Sequence, residues 1–185
     1  MPINITGGSS LLDPNLIMAK AQIKEKMKVA DLGCGATGHF VFPAAKIVGG
    51  KGAVYAVDIM KPVLESIARR AHEENLNNII PIWSDLEVYN GAKIETGSLD
   101  VALLINNLYL STKRPEELRE AIRMIKRGGR LLVVEWEDTT TPFGPSTEKK
   151  VSSDLLKKAG EKLGLRVDEK FVAGEYHYGL LFTKM

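Results

Sequence analysis

A glycine-rich loop set between two apolar segments is the feature of this sequence that most restricts its fold. Residues 28–32 are largely apolar, and a glycine-rich loop follows them. Together the end of this segment and the loop read Asp31-Leu32-Gly33-Cys34-Gly35-Ala36-Thr37-Gly38. A second apolar segment, residues 53–57, ends directly before Asp58. Two apolar segments joined by a glycine turn and a helix are typical of a parallel βαβ unit that binds a ligand at its strand ends.

The rest of the sequence alternates strand and helix patterns in the same way. Strands are predicted at residues 28–32, 53–57, 78–83, 100–105, 130–136, 165–172 and 178–183. Helices are predicted to begin at Pro14 (with Asp13 as cap), Phe40, Pro62, Pro115 and Ser152 or Ser153, with the Pro115 helix running to residue 127. Pro81 indicates an edge strand, and a turn at Ala173-Gly174 indicates an antiparallel final pair.

The expected fold class is therefore α/β, a doubly wound, seven-stranded, mostly parallel sheet with an antiparallel C-terminal strand pair. The 185 residues favour a single domain spanning residues 1–185. Cys34 is the only cysteine, which excludes an internal disulfide. The sequence has no leader pattern and no apolar run of about 20 residues, so we expect a cytoplasmic protein that does not associate with membranes.

Three acids lie at the ends of successive predicted strands and decide between two interpretations of the glycine loop. A loop of the form G-x-G-x-x-G also occurs in dinucleotide sites, but Asp31 would repel a pyrophosphate placed beside it. S-adenosylmethionine presents an ammonium and a sulfonium there, which a carboxylate stabilises. Asp58 can accept hydrogen bonds from ribose in either ligand, and Asp85 can accept one from an adenine amine. We therefore predict S-adenosylmethionine and methyl transfer, with an NAD-linked oxidoreductase as the less favoured alternative.

These motifs resemble those of class I S-adenosylmethionine-dependent methyltransferases over nearly the whole chain. VADLGCGATG resembles the first motif of that family and VYAVDI the second, whereas WSDLE, DVALLINNLYL and IKRGGRLLVVEW are looser matches to the later motifs. The resemblance implies a set of cofactor-binding residues. These are Asp31, Gly33 and Gly35 around the methionine portion, Asp58 on the ribose, Ile59 on the adenine face, Asp85 and Leu86 near the adenine, and Asn106 facing the methionine end.

The methyl acceptor is not identified by the sequence, and no catalytic residue is assigned. A chain this short leaves little room for a recognition domain, which favours a small-molecule acceptor. Three surfaces could bind it: the segment after Asn106, the predicted loop at residues 137–150 that follows Trp136, and the segment around His177. His177 is either a general base or a packed sheet residue. The three histidines show no metal-ligand spacing, so no metal site is predicted.

Other functions stay open at this point. The chain could be a cofactor-binding scaffold or a subunit that needs a partner, or it could methylate RNA or protein. Arg119, Arg123, Lys126 and Arg127 could contact nucleic acid, although interleaved glutamates favour a solvated helix face. A monomer or a homodimer is expected. Residues 1–26, which include the Gly7-Gly8-Ser9-Ser10 stretch, are predicted to cover the cofactor.

Overall fold

The computed structural model describes residues 8–139, 142 and 144–185. Its helices are Pro14–Lys20 (α1), Val41–Val48 (α2), Lys61–Glu73 (α3), Arg114–Met124 (α4) and Ser153–Lys162 (α5), with 3-10 turns at Gly8–Leu11 and Thr147–Lys149. Its strands are Lys28–Leu32 (β1), Ala53–Asp58 (β2), Ile79–Trp83 (β3), Leu99–Ile105 (β4), Ile125–Trp136 (β5), Leu165–Gly174 (β6) and His177–Lys184 (β7). The part of the N-terminal covering segment before residue 8 lies outside the described residues.

The strands form one seven-stranded sheet in the order β3-β2-β1-β4-β5-β7-β6. Strands β1 to β5 are paired in parallel, and β7 runs antiparallel to both β5 and β6. The predicted fold class is confirmed, including the edge position of the strand that contains Pro81. The order reverses at β1, whose neighbours are β2 and β4, and this point is where doubly wound sheets bind ligands.

Helices cover both faces of the sheet because alternate strand residues point in opposite directions. On one face Ile17 of α1, Phe42 of α2 and Ile67 of α3 pack against Val29 and its neighbours. On the other face the helices α4 and α5 pack against the residues that alternate with these, such as Leu32. Each face therefore has its own apolar core, and polar groups concentrate at the strand ends.

Helix α4 ends earlier than the predicted residue 127, and the reason is a long-range interaction. The backbone N–H groups of Gly97 and Ser98 each donate 2.9 Å hydrogen bonds to the carbonyls of Arg123 and Met124. The next residue then pairs with Leu99 of β4. Lys126 consequently lies in β5. The sequence indicated that Arg119, Arg123, Lys126 and Arg127 lie on a solvated helix face. This is wrong for Arg123, which is buried and forms a 2.8 Å ion pair with Glu120.

The C-terminal hairpin also turns later than the sequence indicated. Strand β6 continues through Ala173 and Gly174, and β7 begins at His177, so the turn consists of Glu175 and Tyr176. The two strands stay paired to Gly174 and His177. His177 is therefore a sheet residue, and β5 lies beside it. None of the described helices is both long enough and apolar enough to cross a membrane.

Candidate active site

The glycine loop after β1 is held tightly against its neighbours on one side and is open on the other. The N–H groups of Gly33 and Cys34 donate to the Val57 carbonyl at 2.8 and 3.0 Å, which ties the loop to β2. A Cβ on Gly33, where φ is +77°, would lie 2.3 Å from Nδ2 of Asn107. A Cβ on Gly35 would meet no atom of the described residues within 4 Å. The backbone at Gly35 can therefore be approached closely by a ligand.

Asp58 lies at the end of β2 and supports this loop. Its Oδ2 accepts a 3.1 Å hydrogen bond from the N–H of Gly35, and its Oδ1 accepts one of 2.9 Å from the N–H of Met60. The Asp58 side chain thus joins the end of β2 directly to the glycine loop after β1. Each carboxylate oxygen can still accept a further hydrogen bond, because a carboxylate has about four acceptor positions.

Asp31 is buried beneath the loop and carries an oxygen that is not satisfied by the protein. Its Oδ2 has no hydrogen-bond partner among the described residues. Burial, and next the charge of Asp58, raise the pKa of the Asp31 carboxyl to about 7. A positively charged ligand group beside these carboxylates would offset the effect of the Asp58 charge on Asp31.

Asn106, the residue after β4, presents a second unsatisfied group beside Asp31's strand. Its backbone has a positive φ of 52°, and its N–H donates to the Val134 carbonyl at 2.9 Å. Within the described part of the chain, neither atom of its buried side-chain amide has a hydrogen-bond partner. Buried amides are normally hydrogen-bonded, so this one is placed to bind a ligand.

Glu135 holds the segment after Asn106 in place, a role that was not predicted. Its Oε1 accepts hydrogen bonds from the N–H groups of Asn107 and Leu108 at 3.0 and 2.7 Å. The Asn107 side chain in turn donates to the Leu32 carbonyl at 3.3 Å, which links β4 to β1. An acid within the apolar run of β5 was the available signal, since a buried carboxyl needs partners.

An exposed apolar wall lies where the resemblance places the adenine. Ile59 and Met60 are both exposed, and Trp83 is 54% exposed while its indole N–H donates to the Ile59 carbonyl at 2.8 Å. Ile59 was predicted to pack on the adenine face, whereas Met60 and Trp83 were not predicted as part of this wall. Leu86, in contrast, is buried in the core below.

Asp85 is half-buried, and its Oδ1 accepts a 2.9 Å hydrogen bond from the N–H of Glu87. This contact orders the turn after β3 and leaves the other carboxylate oxygen for a further donor. The structure therefore gathers Asp31, Gly33, Gly35, Asp58, Ile59, Asp85 and Asn106 at one edge of the sheet, with Leu86 beneath it.

Cys34 and His39 lie next to these residues, and their contacts indicate structural roles. Burial, followed by the charge of Asp31, raises the pKa of the Cys34 thiol, so it stays a neutral thiol. The Nε2 of His39 lies 2.9 Å from the Leu12 carbonyl and connects the glycine loop to the segment before α1. That segment therefore lies beside the glycine loop, and the covering of a cofactor by residues 1–26 stays a prediction.

Comparison with known proteins identifies a family for this arrangement. A protein-family model described as "Methyltransferase domain" matches residues 23–169. The ubiquinone/menaquinone biosynthesis C-methyltransferase UbiE of Laribacter hongkongensis is 29% identical over 142 residues, 76% of this chain and 56% of that protein. The demethylmenaquinone methyltransferase of Lactococcus lactis is 29% identical over 117 residues, 63% of this chain and 45% of that protein. The chain thus spans about half the length of these curated relatives.

Solved structures share the fold over the whole chain. The crystal structure of a SAM-dependent methyltransferase from Aquifex aeolicus superimposes with a TM-score of 0.86 at 23% sequence identity, covering 99% of this chain and 95% of that one. At this level of identity the likeness establishes the same sheet and helix arrangement. The chemistry has to be argued from the site itself.

Proposed function

Because this chain belongs to the methyltransferase-domain family, we propose that the protein transfers a methyl group from S-adenosylmethionine to a small organic molecule. One observation carries the proposal. Asp31 and Asn106 present side-chain atoms that lack partners among the described residues, at adjacent strand ends and around the open turn at Gly35. A cationic, amino-acid-like ligand matches a buried acid next to a free amide.

Each predicted cofactor residue has a role in this proposal. Asp31 faces the ammonium of the methionine portion, Gly33 and Gly35 let the backbone approach it, and Asn106 binds its polar atoms. Asp58 accepts hydrogen bonds from the ribose. Ile59, with Met60 and Trp83, packs on the adenine, while Asp85 accepts from the adenine amine and Leu86 supports it from below. Bound S-adenosylmethionine supplies an electrophilic methyl group.

The protein contributes chiefly by holding the acceptor in line with that methyl group. Orientation of two reactants within about 3–3.5 Å can supply on the order of 7–11 kcal/mol without a dedicated base. The relatives' names, which include a quinone-biosynthesis C-methyltransferase, support a small acceptor with a carbon nucleophile. Burial of Arg123 removes one cation from the basic set that an RNA acceptor would use.

The proposal extends to the organisation of the chain. Residues 1–185 form one methyltransferase domain, and residues 1–26 cover the cofactor. We place the protein in the cytoplasm, where S-adenosylmethionine is available, as a monomer or a homodimer.

Methyl transfer from radiolabelled S-adenosylmethionine tests the function directly. The purified protein is assayed with a panel of hydroquinones, hydroxyarenes and enolisable ketones, and with RNA and a protein extract. We expect label in a small molecule and at least about a tenfold loss of rate in Asp31→Asn, which lacks the buried charge. Asp154→Asn, at a position that is 78% exposed on α5, is the matched control and keeps its rate. Label only in RNA or protein, or none at all, would contradict the proposal.

A further inference from the structure

Trp136 and His177 form an aromatic pair at the sheet edge that carries the cofactor residues. They lie directly opposite each other, as the last residue of β5 and the first of β7. Their ring centroids are 4.2 Å apart with an interplanar angle of 39°. Trp136 is 2% exposed and His177 is 0% exposed. This pair is therefore as buried as the apolar core, although both rings carry polar nitrogens.

None of those nitrogens is satisfied by the protein. In residues 8–139, 142 and 144–185, the indole Nε1 of Trp136 and both ring nitrogens of His177 have no hydrogen-bond partner. A buried donor or acceptor without a partner destabilises a fold, and buried polar groups are normally paired. Three such atoms on two stacked rings indicate a site for a polar ligand group.

The pair lies beside the proposed methyl-transfer site and on the same face of the sheet as Asp31. Trp136 lies two residues after Val134, whose carbonyl accepts the N–H of Asn106. Two strand spacings separate β4, which ends directly before Asn106, from β7, which begins at His177, and this amounts to roughly 10 Å. Alternation along the strands puts Asp31, Trp136 and His177 on the face covered by α1 to α3. An acceptor placed between the proposed cofactor site and β7 therefore lies within reach of the two rings.

The segment before α1 packs near His177, and Gly144 packs against the Trp136 ring. A Cβ on Gly174 would lie 3.1 Å from Cδ2 of Leu12 and 3.7 Å from Nδ1 of His177, so Leu12 and His177 meet at this glycine. The hydrogen bond between His39 and the Leu12 carbonyl fixes the same segment to the glycine loop. Because Trp136 is 2% and His177 0% exposed, an acceptor reaches the rings only if a residue packed against them, such as Leu12, is displaced.

The chemistry of the two rings selects one kind of group. Burial, and next the charge of Lys150, lower the pKa of His177 to about 4, so the imidazole is neutral near pH 7 and offers one acceptor nitrogen. The indole of Trp136 is only a donor. A hydroxyl group both donates and accepts, and it complements this acceptor–donor pair.

We infer that the His177 imidazole and the Trp136 indole N–H form an acceptor subsite that binds a hydroxyl group of the small molecule to be methylated. The inference rests on the proposed function, because it names the part of the same site that recognises the acceptor. His177 thereby determines which acceptors are held in line with the methyl group.

The test compares naphthol with methylnaphthalene, which has a methyl in place of the hydroxyl, as ligands of the complex with S-adenosylhomocysteine. By titration calorimetry, the wild-type complex should bind naphthol about tenfold more tightly, since the apolar probe leaves the ring nitrogens unpaired. His177→Phe, which keeps an aromatic ring, should lose this preference, and His177→Asn should recover part of it. Affinity for S-adenosylhomocysteine should be unchanged in both variants.

Trp136→Phe provides a second, independent variant and should also reduce the preference for naphthol. A thermal unfolding curve shows whether His177→Phe folds. If it does not fold, the Trp136→Phe variant is used to test the inference. Equal preference for naphthol in wild type and the Phe variants, or no preference in the wild type, would overturn the inference. Absence of S-adenosylhomocysteine binding by the wild type would instead contradict the proposed function.

Discussion

Asp31 is the residue on which the proposed electrostatics of cofactor binding depend. Its pKa is raised to about 7 by burial and by Asp58, so near neutral pH the free protein holds a mixture of charged and neutral Asp31. In the proposed complex the ammonium of the cofactor would stabilise the charged form. Cofactor binding would then displace a proton from Asp31, and the affinity would fall as the pH falls below about 7.

We expect the affinity of the wild-type protein for S-adenosylmethionine to drop several-fold between about pH 7.5 and about pH 6, because the charged fraction of Asp31 drops in proportion. Calorimetry in two buffers of different ionisation enthalpy should show proton release on binding. Asp31→Asn has no titrating group there and corrects for titration of the ligand itself. The same pH profile in wild type and variant would show that Asp31 is not the coupled group.

At the scale of elements, Glu135 connects the end of β5 to the segment after β4. Burial raises its pKa to about 8, so it is largely protonated at neutral pH while its Oε1 accepts from two backbone N–H groups. A glutamine can accept the same two hydrogen bonds. An alanine cannot, and it leaves buried donors unpaired.

Glu135→Gln should therefore change the free energy of unfolding by less than about 1 kcal/mol at neutral pH, whereas Glu135→Ala should reduce it by about 2–4 kcal/mol. Urea unfolding followed by circular dichroism measures both. The alanine variant should also bind S-adenosylhomocysteine more weakly, because the segment directly after Asn106 is no longer held. Equal destabilisation by the two substitutions would show that charge on Glu135 is required.

Elements that are recognisable from local sequence were predicted well, and those that depend on distant contacts were not. Strand β1 was predicted with its observed bounds because its apolar residues are buried on both faces of the sheet. The end of α4 was placed too late because backbone groups of residues 97 and 98 terminate it. The acids at the strand ends were predicted to lie at one edge, and the structure brings them there. The support from Glu135 and the pairing of Trp136 with His177 bring together residues that are 28 and 41 positions apart.

At the scale of the whole molecule, several buried carboxyls couple stability to pH. Burial raises the pKa values of Asp31 and Glu117 to about 7 and of Glu135 to about 8. In the unfolded chain these groups titrate near pH 4, so between about pH 4 and pH 8 the folded state binds more protons than the unfolded state. Their contribution to stability is full below about pH 4. It is lost progressively as the pH rises from there, and the loss is complete once the pH has passed the folded-state pKa values of about 7 to 8.

We expect the melting temperature to fall by several degrees between about pH 6 and about pH 9, as measured by differential scanning calorimetry. Glu135→Gln and Asp31→Asn should each reduce the decline, because a neutral amide does not titrate. The exposed control Asp154→Asn should keep it. A melting temperature that rises over this interval would mean that these carboxyls are ionised in the folded protein.

The central claim is that this methyltransferase-domain chain binds S-adenosylmethionine at the strand ends around Asp58, and one binding measurement tests it most directly. The purified protein and its Asp58→Ala variant are titrated calorimetrically with S-adenosylhomocysteine, with NADH as the comparison ligand and Asp154→Ala as the surface control. Micromolar binding by the wild type and the control, loss of binding in Asp58→Ala and no binding of NADH are the predicted results. Failure of the folded wild type to bind S-adenosylhomocysteine, or equal binding by Asp58→Ala, would contradict the account.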